Sequence, residues 1–428
     1  MNTLSKRSPE SGPEEAKLRR MAVTYQKQTL DNGLTIVSET DPDAHTAACG
    51  YFVKTGARDE ARPLMGVSHF LEHMMFKGSA RRSADEVNRE FDAIGASYNA
   101  FTSTEMTAFH AHVLPEYLGQ AVDLLGDILR PALRQEDFDT EKGVILEEIA
   151  MYRDQPFWVL YERAMESFYG EHGLGYRVLG TDDTVGALKR DEMQSYFDAR
   201  YSADNTTVAL AGRLDFDAVV EQINSQCGAW LRTDASRNTA APTCQDASFT
   251  LRDEKVSRAY LLMVCGAPPM QDESRYAAML LSRVLGDPDN SRLHWALIEP
   301  GIAEEAQAAY DPHDGCGDLF IYASGDPSRA EQMHEIIERE LDSLVDSLCD
   351  DDLERLRNKL ATSVTLAGER PAGRMQRMGR LLPYLGSYIS LEEELDAINR
   401  VSLDDLRDVA KRYPFHPRTV GRLLPKGI

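Results

Sequence analysis

The sequence predicts an α+β protein that consists of two similar domains. A chain of 428 residues is too long for one ordinary hydrophobic core, because domains usually contain roughly 100 to 200 residues. Patterns typical of strands and of helices mix without the strict alternation of a doubly wound fold. The order strand, helix, strand, long helix also occurs twice, which indicates a weak internal repeat.

The first predicted domain covers residues 23–232. It opens with two strands around the turn Asp31-Asn32-Gly33, since Asn-Gly supplies the positive φ angles of a tight hairpin. A strand follows in TAACGYFVKTG, and helical spacing begins in PLMGVSHFLEHMMF. The other predicted elements are helices in SADEVNREFDAIG, EYLGQAVDLLGDIL, DFDTEKGVILEEIAMYRDQP and TVGALKRDEMQSYFDARY, and strands in SYNAFTSTEMTAFHAHV and NTTVALAG.

Residues 233–248 are predicted to be a linker, because they are rich in Ala, Thr, Ser, Asp and Pro and lack apolar periodicity. The second predicted domain covers residues 249–428. Its strands are predicted in SRAYLLMVCGAP and LFIYAS, and its helices in RYAAMLLSRVLG and DDDLERLRNKLATSVTLAGE. Near its end, SLDDLRDVAKRY resembles TVGALKRDEMQSYFDARY of the first half.

The N-terminus and the composition narrow the class of protein. Residues 1–22 lack the apolar segment of a signal peptide, and their acidic residues argue against a mitochondrial transit peptide. We therefore expect a flexible tail on a cytoplasmic protein. No apolar run approaches the roughly 18 residues that span a bilayer.

Charge and cysteine content exclude further classes. The formal net charge of −23 would repel a phosphate backbone, so no nucleic-acid partner is expected. An acidic, well-solvated surface is the simplest explanation of the same excess. The six cysteines show no C-x-x-C pair or zinc-finger spacing, which predicts reduced, mostly structural thiols.

The segment SHFLEHMMFKGS contains the strongest chemical signal. His69 and His73 are four residues apart, hence on one helix face, and Glu72 directly precedes the second histidine. Zinc accepts neutral imidazoles, and a catalytic zinc site uses three protein ligands. In this composition H-x-x-E-H arises by chance only about 0.02 times. Two ordinary histidines are the alternative, but apolar neighbours would then bury unpaired polar groups.

A third ligand is expected on the helix in EKGVILEEIAMYRDQP. Glu141 and Glu148 are seven residues apart and lie on the same side, whereas Glu147 points about 100° away. A carboxylate among these apolar residues needs a cation or hydrogen-bond donors. From spacing alone, a solvated helix face explains Glu148 equally well.

These segments resemble the pitrilysin (M16) family of zinc metallopeptidases. The resemblance runs from LDNGLTIVSE through HFLEHMMFKGS, NAFTSTE and EKGVILEEIAMYRDQP to YSADNTTVALAG, and it is weaker in GDLFIYASGDP. It implies that His69, His73 and Glu148 bind Zn²⁺ and that Glu72 is the catalytic base that activates a zinc-bound water. It further implies that Glu141 is an acidic residue that contacts the ligands without binding the metal itself.

The resemblance also implies how substrate binds. In this family a peptide adds as an extra strand beside the catalytic domain, and SYNAFTS matches that edge. Asn99, Ala100 and Phe101 are then the expected substrate contacts. Main-chain pairing selects extended conformation rather than sequence, which suits varied unfolded peptides. The alternative is an ordinary strand in which Asn99 caps a turn.

One stretch departs from the family pattern. Many relatives carry an arginine in the second domain and, seven residues later, a tyrosine, which together stabilise the reaction intermediate. Here the corresponding stretch is IEPGIAE. If it is one residue shorter than in those relatives, Ile298 occupies the arginine position and Glu304 the tyrosine position. Arg292 and Tyr310 are nearby in sequence, but nothing in the spacing assigns them that role.

The resemblance therefore implies a zinc-dependent endopeptidase that acts on peptides or unfolded segments. The two domains are expected to form half of a clam-shaped chamber, so a dimer is expected, either of two identical chains or with a related subunit that supplies Arg and Tyr. The alternative is a non-catalytic chamber subunit, like the core proteins of the respiratory bc1 complex, which typically have lost the zinc motif. A purely structural zinc is disfavoured because two histidines and one glutamate leave a fourth position open.

Overall fold

The computed structural model describes residues 23–427, and the tail predicted at residues 1–22 lies outside them. Two sheets form the framework. The strands of the first sheet are β1 (Thr24–Thr29), β2 (Thr35–Thr40), β3 (Ala47–Val53), β4 (Ser97–Thr102), β5 (Thr107–Val113) and β6 (Thr206–Gly212). The strands of the second sheet are β7 (Ala247–Asp253), β8 (Ala259–Ala267), β9 (Glu305–Pro312), β10 (Gly317–Gly325) and β11 (Arg418–Pro425).

Helices cover both sheets. Those in the first half of the chain are α1 (Val67–Met75), α2 (Ala84–Ala93), α3 (Leu118–Ile128), α4 (Gln135–Arg153), α5 (Pro156–Tyr169), α6 (Asp182–Ala187), α7 (Arg190–Arg200) and α8 (Phe216–Cys227). Those in the second half are α9 (Arg275–Gly286), α10 (Ala330–Ser347), α11 (Asp350–Gly368), α12 (Pro371–Leu385), α13 (Leu391–Arg400) and α14 (Leu403–Arg412).

The predicted α+β class, with two similar, mostly antiparallel sheets, is confirmed. The strand order is β1-β2-β6-β3-β5-β4 in the first sheet and β7-β11-β8-β10-β9 in the second. Each sheet contains one parallel pair, β2 with β6 and β7 with β11, and its other pairs are antiparallel. β4 and β9 occupy corresponding edges of the two sheets.

The turn predicted between the first two strands follows from its glycine. Gly33 has a φ of 93°, a value that costs glycine little and other residues more. The Asn32 side chain donates to the carbonyl of Cys227 at 2.9 Å, which ties the hairpin to the end of α8. Residues 230–246, which include most of the predicted linker, contain no helix or strand.

Each half of the chain contributes one helix to the sheet of the other half. α12 packs on β2, β3 and β6, where Met375, Met378 and Leu382 meet Val37 and Phe52. α5 packs in turn on β8 and β11 of the second sheet. The two cores are therefore interlocked rather than merely adjacent.

A glycine makes the approach of α12 close. A Cβ at Gly379 would lie 2.1 Å from the Phe52 ring, far below a normal van der Waals contact. Because glycine has no side chain, the helix backbone can rest directly on the aromatic ring. Any larger residue at this position would push α12 away from the sheet.

A buried group of charges joins the two halves of the chain. Arg58 donates to Glu105 at 2.6 Å, and both side chains are almost fully buried. Arg237, from the connecting segment, and His313, from the second half, lie 3.6 Å and 3.7 Å from Glu105. Burial would raise the pKa of Glu105, but His313 and the other surrounding positive charges lower that pKa to about 2. Glu105 is thus an anion that cations from three parts of the chain share.

Within residues 23–427 no helix combines the length and the apolar composition that crossing a membrane requires. The six cysteines are all free thiols, and burial raises the pKa of Cys49, Cys227 and Cys265 to about 12. Such thiols are poor nucleophiles, because the thiolate is the reactive form.

Candidate metal centre

The helix that carries the two histidines is anchored at both its N-terminus and its apolar face. Glu60 accepts the backbone N–H groups of Gly66 and Ser68 at 2.7 Å each, which satisfies donors that α1 itself leaves free. Phe70 and Leu71 are fully buried in the core of the first domain. This packing fixes the rotation of α1 and turns His69 and His73 toward α4, against which α1 packs.

The orientation of α4, the helix that faces α1, is likewise set by the packing of its apolar side. Phe138, Ile145 and Ile149 bury one side of α4, and the Phe138 ring stacks on Phe70 with centroids 4.8 Å apart. On this helix Glu148 is half-buried and directed at the histidines, whereas Glu147 is exposed.

Three donor atoms converge between α1 and α4. The Oε2 atom of Glu148 lies 3.8 Å from Nε2 of His69 and 3.6 Å from Nε2 of His73, and the three donor atoms fall within 4.8 Å of one another. Ligands of a tetrahedral zinc are about 2.0 to 2.2 Å from the ion and hence roughly 3.4 Å apart. The spacing and the chemistry of these residues therefore fit zinc.

Glu141 holds the second histidine from behind. Its Oε1 atom is 2.8 Å from Nδ1 of His73, and its other oxygen forms an ion pair with Lys77. A proton on Nδ1, donated to Glu141, leaves the Nε2 lone pair of His73 free to bind a cation. Burial would raise the pKa of Glu141, but its bonds to His73 and Lys77 lower that pKa.

The electrostatics of the two histidines differ. Burial, aided by the neighbouring His73, lowers the pKa of His69 to about 4, so His69 is neutral near pH 7, as a metal ligand must be. Burial also favours neutral His73, but the carboxylates of Glu141, Glu148 and Glu72 outweigh it and raise the pKa of His73. A site that attracts a proton in this way attracts a metal cation for the same reason.

Glu72 lies beside the three donors and is positioned separately. The Thr102 hydroxyl, at the end of β4, donates to Oε2 of Glu72 at 2.6 Å. Burial raises the pKa of Glu72 even though this hydrogen bond opposes the change. A carboxylate with a raised pKa is a better proton acceptor than an ordinary one, which is the property of a general base.

The strand predicted to contact substrate is an edge strand. β4 ends the first sheet and pairs on one side only, with β5. Asn99 is exposed, Ala100 and Phe101 are half-buried, and the Asn99 side chain accepts the Ala100 N–H at 2.9 Å. Contact of these three residues with a peptide stays a prediction.

Comparison with known proteins places this geometry in a family. The family model described as insulinase (peptidase family M16) matches residues 35–182, and the model described as peptidase M16 inactive domain matches residues 187–360. The chain belongs to peptidase family M16. An uncharacterized zinc protease of Streptomyces coelicolor is 34% identical over 91% of this chain and 87% of its own length.

Solved structures share the M16 fold. A protease from Helicobacter pylori superposes with a TM-score of 0.89 at 20% identity, covering 95% of this chain and 100% of its own. A chain of complex III2 from Candida albicans superposes with a TM-score of 0.81 at 16% identity, covering 94% and 95%. At these identities the likeness concerns the fold alone.

The stretch that departs from the family pattern lies in the second domain. Ile298 ends a short π-helical segment, His294–Ile298, and packs against the core of that domain. Glu304 forms a 2.6 Å ion pair with Arg258. Arg292 donates to Asp352 at 2.9 Å, and the Tyr310 hydroxyl donates to the carbonyl of Pro268 at 2.7 Å. Each of the side chains of Glu304, Arg292 and Tyr310 thus has a partner within the second domain.

Two residues of the site were missed by sequence reasoning. Lys77 lies four residues after His73, a helical spacing that could have drawn attention to it, but its partner Glu141 is 64 positions away in the sequence. Thr102 lies within the segment NAFTSTE, and its role follows only from the packing of β4 on α1, which brings its hydroxyl to Glu72.

Proposed function

We propose that this chain is a zinc-dependent endopeptidase that hydrolyses peptides or unfolded segments of proteins. The proposal is carried by one observation: the donor atoms of His69, His73 and Glu148 converge within 4.8 Å, next to a positioned carboxylate, Glu72. Membership of the M16 family and the zinc proteases among its relatives support it.

Nε2 of His69, Nε2 of His73 and Oε2 of Glu148 would hold the zinc ion. When bound, zinc supplies Lewis acidity, which eases ionisation of water near neutral pH and draws charge from a peptide carbonyl. With both histidines neutral, the carboxylates of Glu72, Glu141 and Glu148 are offset, within residues 23–427, by one ion-paired ammonium group, that of Lys77 on Glu141. The surplus of negative charge suits a divalent cation.

Glu72 moves the proton in this mechanism. Its Oε2 atom accepts from Thr102, which leaves Oε1 to take a proton from the attacking water and to pass it to the leaving amine. The Thr102 bond fixes the rotamer of the carboxylate, and burial keeps it basic. No serine or cysteine nucleophile is required, because water is the nucleophile.

The edge of β4 would bind the peptide in extended form. Its outer side has no strand partner within residues 23–427, so its backbone groups are available to a peptide that adds as a further strand. We propose Asn99, Ala100 and Phe101 as the contacts. Peptide binding would require the Asn99 side chain to release the Ala100 N–H.

We also propose that the working form is a dimer in which each chain forms half of a chamber. Ile298 and Glu304 cannot donate to an oxyanion as Arg and Tyr would. Losing such a donor costs roughly 100- to 1000-fold in kcat, so full activity would require a related subunit that carries those residues. A homodimer whose kcat does not rise on addition of candidate subunits would refute the requirement for a related subunit. It would leave the zinc proposal intact.

A second candidate function is a non-catalytic subunit. It is favoured by the departure at Ile298 and Glu304 and by the fold shared with a chain of complex III2. The intact set of donors around Glu72 favours catalysis, since a structural subunit needs neither a zinc site nor a buried base.

Metal content and peptide cleavage distinguish the two functions. The purified chain is expected to contain about one zinc ion, and cleavage of an unfolded peptide should stop on chelation and return with zinc. Glu72→Gln should keep the metal and lose at least about 100-fold in rate, the scale of a general base. Glu147→Gln, on the exposed side of α4, is the matched control. A zinc-loaded chain that cleaves nothing, with or without candidate subunits, would support the structural role instead.

A further inference from the structure

The two faces of β4 have different surroundings. Tyr98 and Ala100 pack against the core that contains α1, whereas Phe101 packs against the cluster that contains α12. Thr102 again faces α1, where it meets Glu72. Successive side chains of a strand point to opposite faces. A peptide paired with β4 would therefore direct alternate side chains toward the metal donors and toward α12.

An arginine lies on the α12 side of this edge. The Arg380 guanidinium is centred 4.5 Å from the Phe101 ring centroid, and its Nε donates to Gln376 at 3.3 Å. The side chain is exposed. Arg374 and Arg377 of the same helix each pair with carboxylates of the first sheet, including Glu39. No carboxylate among residues 23–427 lies within ion-pairing distance of Arg380.

Arg380 is a cation on the α12 face of β4 in an acidic protein. His110 is opposite Asn99 in the strand register and therefore shares the α12 face with Phe101. Burial lowers the pKa of His110, and the charge of Arg380 lowers it further, so His110 is neutral near pH 7 and does not compete with Arg380 for an anion. An unpaired guanidinium held against a ring, in a chain of net charge −23, is a local attractor for an anion.

We propose that Arg380 is a specificity-determining residue that binds an acidic side chain of the peptide. The inference rests on the proposed endopeptidase function and on pairing of the peptide with β4. The preferred substrate class is then an extended peptide with Asp or Glu at a position whose side chain faces α12. The carboxylate of this Asp or Glu would lie on the α12 side of β4, next to Phe101. There it would accept a charge-assisted hydrogen bond from the Arg380 guanidinium.

Cleavage of a matched peptide series tests this assignment. One unfolded sequence, amidated at its C-terminus so that only a side chain supplies the carboxylate, carries Glu, Gln or Lys at each position around the cleavage site. The wild-type chain should prefer Glu over Gln by roughly 10-fold in kcat/KM at one α12-facing position, the equivalent of one hydrogen bond to a charged group. The preference should weaken with added salt.

Variants of Arg380 should change this preference. Arg380→Gln should abolish the difference between Glu and Gln peptides, measured as the ratio of the two kcat/KM values within each protein, and Arg380→Glu should favour Lys. Arg89→Gln, an exposed substitution on α2, is the control of equal charge change. Binding of the labelled Glu and Gln peptides to Glu72→Gln protein, measured by fluorescence anisotropy, should show the same loss when Arg380→Gln is added.

Two results would overturn the assignment of Arg380. One is wild-type cleavage with no acidic preference at any position, and the other is a preference that Arg380→Gln leaves intact. Both leave the endopeptidase proposal standing. Failure of the zinc-loaded chain to cleave any peptide, with or without candidate subunits, would instead reject the proposed function and this inference with it.

Discussion

The hydrogen bond between Glu141 and His73 offers a direct test of the metal centre, because it can be weakened without touching a donor atom. Glu141→Gln retains an oxygen that can accept from Nδ1 of His73, now 2.8 Å away, but removes the negative charge. Glu141→Ala removes the partner altogether. Both variants leave His69, His73 and Glu148 in place.

The magnitude follows from the type of bond that changes. A hydrogen bond to a charged group contributes about 1.5 to 3 kcal/mol and a neutral one about 0.5 to 1.5 kcal/mol. Glu141→Gln should therefore weaken zinc binding by about 1 to 1.5 kcal/mol, or roughly 10-fold. Glu141→Ala should approach 100-fold, the upper end for losing a group that orients a metal ligand.

Competition with a zinc-chelating dye measures the two dissociation constants. The difference in zinc affinity between the wild type and the Glu141 variants should narrow as the pH falls. The Glu141 carboxylate favours the metal, but it also raises the pKa of His73 and so favours the proton that competes with the metal. Glu147→Gln on the same helix should bind zinc like the wild type. Wild-type affinity in both Glu141 variants, or equal losses in Glu141→Gln and Glu147→Gln, would refute the role of Glu141.

Three further predictions concern other contacts. Glu148→Gln should weaken zinc binding more than Glu147→Gln in the same dye assay, and the reverse order would move the third ligand by one residue. Thr102→Val should lower kcat/KM roughly 10-fold, by one hydrogen bond to a charged group, and shift the acidic limb of the pH–rate profile upward, since this bond opposes the rise in the pKa of Glu72; an unchanged profile would contradict it. Glu105→Gln should cost about 3 to 5 kcal/mol of unfolding free energy, as breaking a buried ion pair does. Because the pKa of Glu105 is lowered from 4.5 to about 2, its stabilisation is present above pH 4.5 and lost below it, so denaturant unfolding should show the two proteins converging as the pH falls toward 2.

Short-range patterns predicted the elements that carry the chemistry. The four-residue spacing of His69 and His73 and the seven-residue spacing of Glu141 and Glu148 describe positions on single helices, where the period of 3.6 residues determines the face. The structure brings all four together because each helix also buries an apolar stripe against the same core. The prediction that SYNAFTS forms an edge strand depended on the resemblance. The sequence of one strand does not show which strands lie beside it.

Long-range contacts were not predictable in the same way. The buried charges around Glu105 combine residues from both halves and from the segment predicted as a linker, and only one of these, Arg237, lies in that segment. Its composition indicated a solvated connection, yet the Arg237 side chain is almost fully buried between Asp59 and Glu105. Composition describes the average environment of a segment, whereas one charged residue can be drawn into the interior by carboxylates already buried there.

The interlocking of the two halves would give the second domain a role at the proposed peptide site even though Ile298 and Glu304 replace Arg and Tyr. α12 covers the face of the first sheet that lies behind β4, and without it Val37, Phe52 and Ala209, all fully buried, would lose their cover. Exposing such side chains costs about 25 cal/mol for each Å² of apolar surface. α12 thus stabilises the sheet to which the β4 edge belongs, and the same helix carries the guanidinium that would select among peptides. In this proposal, support for the sheet and choice of the substrate would both come from one helix of the domain that contributes no donor to the metal centre.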